Sequence, residues 1–205
     1  MKQFLKKYFY LQPITTIFLI LNFVMVILTL FYGGFKINVL LKLGGLYPPL
    51  VTEYNEYYRL ITTAFLHGNI IHFLLNGFAL FYLGGELERL IGGIRFIIIY
   101  ILSALGASIA TVLLSPNYVT VGASGAIYGV VGALLVLTFT RKEWFYSTQI
   151  RALRNLIVIN IVFTLLMPSI STEGHIGGMI IGFIVIQFLT PNQPYLYKKN
   201  SNWIN

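Results

Sequence analysis

The sequence has no cysteine, no aspartate and little charge of either sign. Without cysteine there is no disulfide, no thiolate nucleophile and no cysteine-held metal. Without aspartate there is no aspartyl protease mechanism and no triad built on Asp. No His-Glu-x-x-His stretch occurs, which excludes metal-dependent peptide hydrolysis of that kind. Neither a metal nor an organic cofactor is expected. Charged residues make up only 10% of the 205 residues, whereas soluble domains carry about 25%.

What is abundant is apolar: 57% of residues are hydrophobic. Six runs are long enough to span a bilayer, at roughly 17–25 residues each. They cover about 14–32, 64–83, 93–114, 122–140, 150–168 and 174–190. The expected fold is an all-α membrane protein, with six transmembrane helices in one integral-membrane domain over 1–205. The run from Ile14 to Phe31 is longer than the 7–15 residues or so of a signal-peptide core, so it is expected to be retained as the first span. Between the first two spans, Tyr32 to Arg59 mixes Gly33-Gly34, Gly44-Gly45 and Pro48-Pro49 with Leu and Tyr. That composition suits an interfacial loop rather than a span.

The net charge of +8 could point to nucleic acid on a soluble protein. Here the basic residues sit at the ends of apolar runs, with no basic stripe interleaved with aromatics. The expected surroundings are a lipid bilayer, with no nucleic-acid partner. Placing the N-terminus in the cytoplasm puts Lys2, Lys6, Lys7, Arg89, Arg95, Arg141, Lys142, Arg151, Arg154, Lys198 and Lys199 inside. Only Lys36, Lys42 and Arg59 fall outside. The positive-inside rule then predicts a multi-pass protein of the cell membrane with short cytoplasmic tails at both ends.

That orientation brings scattered polar residues to one depth. Ser124 opens the fourth span and His175 the sixth. His67 and His72 lie early in the second span, with Asn76 one turn on. All fall in the outer half of the membrane. A serine needs a base to become a nucleophile, and His175 is the candidate. Gly125/Gly129 and Gly178/Gly182 form Gly-x-x-x-Gly faces that let two helices approach closely. Tyr128 lies four residues after Ser124, on the same face, where its ring can hold the imidazole. No carboxylate is well placed; Glu173, two residues before His175, is expected in a loop. A Ser–His dyad is therefore expected, slower than a triad, since losing the acid of a soluble triad costs about 10⁴-fold. His72 and Asn76, spaced i, i+4, could supply oxyanion donors together with the Ser124 backbone N–H.

Taken singly, each feature also has a structural explanation. Ser and Gly are ordinary packing residues in membrane helices. His175 could be a packed histidine, His72/Asn76 interhelical glue, and Gly178/Gly182 a dimerisation face. For His67 a structural hydrogen bond to the loop is expected rather than catalysis. Asn22 and Asn160 are expected to bond neighbouring helices. Glu86, Glu88, Arg89 and Arg95 are expected to form an ion-pair network, and Tyr47, Tyr54, Tyr57 and Tyr58 an interfacial belt.

Together, the motifs resemble the rhomboid family of intramembrane serine proteases. The matching pieces are His67-Gly68-Asn69-Ile70-Ile71-His72-Phe73-Leu74-Leu75-Asn76, Leu83-Gly84-Gly85-Glu86-Leu87-Glu88-Arg89, Gly122-Ala123-Ser124-Gly125 and His175-Ile176-Gly177-Gly178. The resemblance covers about 59–190, which would be the catalytic core. It implies Ser124 as nucleophile and His175 as general base. It further implies an oxyanion site of His72, Asn76 and the Ser124 N–H, with Tyr128 supporting the histidine. Substrates would be transmembrane proteins cut near their outer ends, reaching the site laterally between the second and fifth spans, with the 168–174 loop as a cap. Many members carry Trp-Arg in the first loop, where this chain has Tyr58-Arg59. The alternatives are a non-proteolytic rhomboid relative acting as a binding or quality-control factor, and a transporter or channel. The first typically lacks the serine or histidine. The second lacks support from any inverted repeat or paired intramembrane charge.

Overall fold

A computed structural model describes residues 10–115, 117–166 and 171–196. Among these the protein is helical, with no strand beyond one isolated antiparallel bridge between Leu46 and Thr120. The long helices are α1 (Pro13–Phe31), α5 (Ile70–Ile91), α6 (Gly93–Leu114), α7 (Ser124–Thr140), α8 (Ser147–Leu166) and α9 (Thr172–Leu189). Short helices α2 (Ile37–Lys42), α3 (Pro48–Thr52) and α4 (Arg59–Thr62) fold the connection between α1 and α5. Four helices, α1, α5, α6 and α9, are long and apolar enough to cross a membrane. Helix α7 is apolar but shorter, and α8 carries Gln149, Arg151, Arg154, Asn155 and Asn160.

Unlike a water-soluble bundle, several helices turn polar side chains inward and leave large apolar ones outside. On α1, Thr15, Asn22 and Thr29 are buried, while Phe23, Ile27 and Phe31 are exposed. Helices α5, α6 and α9 likewise present Ile71, Leu74, Phe78, Ile94, Leu113, Ile180 and Phe188 outward. So much outward apolar surface is unfavourable in water and suits lipid. Helix α7 lies at the centre, with nearly every side chain from Ala126 to Thr138 buried.

Small residues make that centre possible. A Cβ on Gly178 would run into the Gly125 carbonyl, and one on Gly182 into the Gly129 carbonyl. The Gly-x-x-x-Gly faces of α7 and α9 therefore meet each other, at backbone distance. Gly125 also packs on Ala107 of α6. Ala107 lies about two turns before Leu114, so α7 starts ~10 Å short of the end of its neighbour.

Several boundaries and contacts differ from the sequence reading. Helix α5 starts at Ile70 because the Asn69 side chain caps it, accepting the His72 N–H at 2.8 Å. His67 thus precedes the helix instead of lying in it. The helix runs on to Ile91 through a π turn at Leu80–Gly84 and stops at Gly92, whose φ of +86° breaks it. Helix α9 starts at Thr172, since Ser171 accepts the Gly174 N–H at 3.2 Å. Glu173 is consequently in the first helical turn, not a loop, and His175 sits within that turn. Of the expected 168–174 cap, residues 168–170 lie outside the described residues.

The acidic and basic cluster is divided rather than networked. Arg89 pairs with Glu86 and Arg95 bonds the Ile91 carbonyl. Buried Glu88 instead caps α1, accepting the N–H groups of Ile14 at 2.9 Å and Thr15 at 2.7 Å. This satisfies orphan donors and places a carboxylate at a helix N-terminus. Among the described residues, neither Asn forms the expected interhelical side-chain bond. Asn22 is buried with its amide unpaired, and the Asn160 amide bonds Leu156 of its own helix.

Candidate active site

Ser124 is the first residue of α7, and the segment that delivers it is tied down from the α1–α5 connection. Buried Arg59 donates to the carbonyls of Leu41 at 2.7 Å and Gly45 at 2.8 Å, and pairs with Glu56. Those bonds set the loop that ends in Leu46. Leu46 then exchanges backbone bonds with Thr120, at 3.0 and 2.8 Å. The Thr63 hydroxyl donates to the Thr120 carbonyl at 2.6 Å, and the Gly122 N–H donates to the Thr63 carbonyl at 3.0 Å. Tyr54, Tyr57 and Tyr58 of this region are exposed, and Arg59 lies over the Tyr58 ring.

Ser124 and His175 line one cavity, with Gly122, Gly125, Thr120, Ser171 and Gly174 among its walls. No hydrogen bond joins the two side chains among the described residues. Such bonds are often long before substrate binds. His175 is 6% exposed, and its ring stacks on Tyr128 with centroids 4.0 Å apart and planes at 16°. His175 Nδ1 is 3.0 Å from the Thr164 hydroxyl of α8. The Tyr128 hydroxyl reaches the same Thr164 hydroxyl and donates to the Asn160 carbonyl at 2.7 Å.

His72 and Asn76 approach from α5, on the other side of Gly122. Gly122 has φ +137°, and a Cβ there would sit 2.8 Å from His72 Nε2 and 3.5 Å from Asn76 Nδ2. Only glycine fits both the backbone and the space. The His72 Nδ1 accepts the Gly68 N–H at 3.4 Å, which leaves the proton of a neutral ring on Nε2. Asn76 Nδ2 is buried with no partner. Two N–H donors thus converge beside the residue that precedes Ala123 and Ser124. His67 is 1% exposed and meets His72 and Phe73 edge-on, at 5.2 and 5.5 Å. Burial, and then the neighbouring His72, push its pKa down to about 3, so it is uncharged at neutral pH. It buttresses the His72 ring instead of facing the cavity.

A family model described as the rhomboid domain matches residues 54–192, a stretch that holds His72, Asn76, Ser124, Tyr128, Thr164 and His175. The chain belongs to the rhomboid family. It is 36% identical over 170 residues to Rhomboid protease GluP of Bacillus subtilis, covering 82% of this chain and 33% of that protein. It is 37% identical over 171 residues to RHOMBOID-like protein 6, mitochondrial, of Arabidopsis thaliana, covering 80% of this chain and 55% of that protein. YdcA of Bacillus subtilis is 32% identical over 148 residues, which are 67% of this chain and 74% of that protein. The chain therefore spans between a third and just over half the length of the first two relatives. Family and apolar helices together make this rhomboid a multi-pass membrane protein.

The structure brings Gly122, Ser124, Gly125 and His175 to one cavity and stacks Tyr128 behind the histidine. It sets His72 and Asn76 on the far side of Gly122, and uses Gly178 and Gly182 to seat α9 on α7. Sequence reading did not single out Thr164, Ser171 or Thr63, or the inward bonds of Arg59. A signal existed for two of them: Asn160 and Thr164 are spaced i, i+4 in an otherwise apolar run, and Ser171-Thr172-Glu173 reads as a helix start.

Proposed function

We propose that this rhomboid is an intramembrane serine endopeptidase that hydrolyses peptide bonds in or near transmembrane segments of other proteins, through a Ser124–His175 dyad. The observation that carries the reading is the shared cavity. It holds a serine at the start of a buried helix and a histidine on the helix that facing glycines bring to backbone distance, with the unpaired Asn76 Nδ2 and with His72 Nε2 beside Gly122 of its wall.

In this mechanism Ser124 Oγ attacks the scissile carbonyl carbon while its proton passes to His175 Nε2. The carbonyl oxygen becomes an oxyanion, held by His72 Nε2–H, Asn76 Nδ2–H and the Ser124 N–H, at the positive end of α7. Collapse breaks the C–N bond, and His175 returns its proton to the leaving amine. Water then attacks the acyl-enzyme, with His175 again taking the proton, which releases the carboxylate product and restores Ser124. Tyr128 keeps the imidazole in place throughout.

The setting belongs to the same proposal. All six long helices span the cell membrane as one domain, both termini lie in the cytoplasm, and the site opens to the outer side. Because α7 starts ~10 Å short of its neighbour, the serine lies below the membrane surface. The polar walls Thr63, Ser108, Thr111, Thr120 and Ser171 give water a favourable path to it.

The test is cleavage of a reconstituted transmembrane peptide by the purified protein in liposomes, alongside Ser124→Ala. Cleavage by wild type and none by the variant is expected. Equal cleavage by both would remove Ser124 from the chemistry, and none by either would refute the protease reading for that substrate class.

A further inference from the structure

A dyad lacks the carboxylate that fixes the histidine of a triad in one tautomer. In this protein the proton count on neighbouring hydroxyls supplies a substitute. The Asn160 carbonyl can only accept, so the single Tyr128 phenolic proton points to it. The Tyr128 oxygen must then accept from Thr164 where the two hydroxyls meet, which uses the only Thr164 proton. The Thr164 oxygen is left as an acceptor toward His175, 3.0 Å away, and Nδ1 must be the donor. One carbonyl orients the whole series.

We propose that Thr164 is a positioning residue: with Tyr128 it forms a hydroxyl relay, His175 Nδ1–H to Thr164 to Tyr128 to the Asn160 carbonyl, that locks His175 with its lone pair on Nε2. That nitrogen is the one free to take the Ser124 proton, and in this the inference rests on the proposed protease reading. The lock needs no rearrangement during the reaction. When Nε2 gains its proton, the Nδ1–H bond to Thr164 becomes charge-assisted and strengthens. The anchors share one face of α8, since Asn160 and Thr164 are four residues apart, and Thr164 is 4% exposed. Stacking by Tyr128 fixes the plane of the ring; only the relay distinguishes its two nitrogens.

The experiment reads the tautomer directly, by NMR of ¹⁵N-histidine-labelled protein in micelles, with His175→Gln to assign the signals. Wild type should show His175 protonated at Nδ1 and bare at Nε2. Thr164→Val keeps the shape but removes the acceptor, so the protonated position should redistribute toward Nε2. The cleavage kcat should fall about 10- to 100-fold with KM little changed, as expected for loss of one buried hydrogen bond. Thr164→Ser should restore both tautomer and kcat. Tyr128→Phe keeps the stacked ring but frees the Thr164 proton, so it too should mix the tautomers. Wild type protonated at Nε2, or Thr164→Val with wild-type tautomer and rate, would overturn the relay. The expected tautomer in wild type and its shift in Thr164→Val, found together with a wild-type protein that cleaves nothing, would instead refute the protease reading and leave the relay standing.

Discussion

Asn76→Ala is the change that most cleanly separates chemistry from folding in this site. The amide nitrogen is buried beside Gly122 yet has no protein partner, so deleting it breaks no internal bond. The cost to stability is then confined to lost packing, within about 1 kcal/mol. In the transition state the same N–H would meet a full negative charge. Removing one oxyanion donor typically costs about 2.7–4 kcal/mol, or 10²–10³ in kcat. His72 and the Ser124 N–H remain in place, which widens the expected loss to about 10- to 1,000-fold. The assay pairs kcat and KM on a reconstituted transmembrane substrate with chemical unfolding of the same preparation. A drop in kcat with unchanged KM and unfolding midpoint is the expected outcome. A wild-type kcat, or a loss that appears only as unfolding, would refute the assignment of Asn76 to the oxyanion site.

Other predictions follow from the packing. Gly182→Ala places a methyl group against the Gly129 carbonyl, forcing α9 away from α7. Overpacking of this kind should cost about 1–3 kcal/mol by denaturant unfolding and reduce cleavage with it. Glu88→Ala leaves the Ile14 and Thr15 N–H groups without their acceptor and should cost about 2–4 kcal/mol in the same unfolding assay, with Glu88→Gln losing less. Arg59→Lys cannot hold the Leu41 and Gly45 carbonyls, which Arg59 reaches through Nη1, and at the same time Glu56, which it grips through Nε and Nη2. Loosening that loop should slow labelling of Ser124 by a fluorophosphonate, even where the unfolding midpoint moves little.

Much of the architecture was legible because lipid imposes it. Among the described residues, four of the six apolar runs are helices long and apolar enough to cross a membrane, the fourth run is a shorter apolar helix and the fifth a more polar one, and glycines at four-residue spacing marked an interface where backbones touch. Ser124 at the head of α7 was readable from the sequence, and helical spacing together with the facing glycines suggested the Tyr128 contact with His175. The misreadings share a physical origin: helix ends are set by single side-chain caps that hydropathy does not register. Asn69 starts α5 after His67, and Ser171 draws Glu173 into α9. Partners distant in sequence were equally invisible. Glu88 looked like a member of a local charge cluster, but it caps a helix more than seventy residues away. Asn160 looked like a side-chain bridge, and instead contributes its carbonyl. Thr164 carries no charge, and its spacing from Asn160 marks a polar face of α8 without showing that the face meets His175.

The central claim is that His175 activates Ser124, and it is tested most directly by reacting the purified protein with a fluorescent fluorophosphonate. The reagent should label wild type, and labelling should vanish in both Ser124→Ala and His175→Ala while both variants remain folded, His175→Ala with a lowered unfolding midpoint because its buried ring and its contact with Thr164 are lost. Labelling of folded Ser124→Ala at the wild-type rate, or of His175→Ala at that rate, would contradict the account.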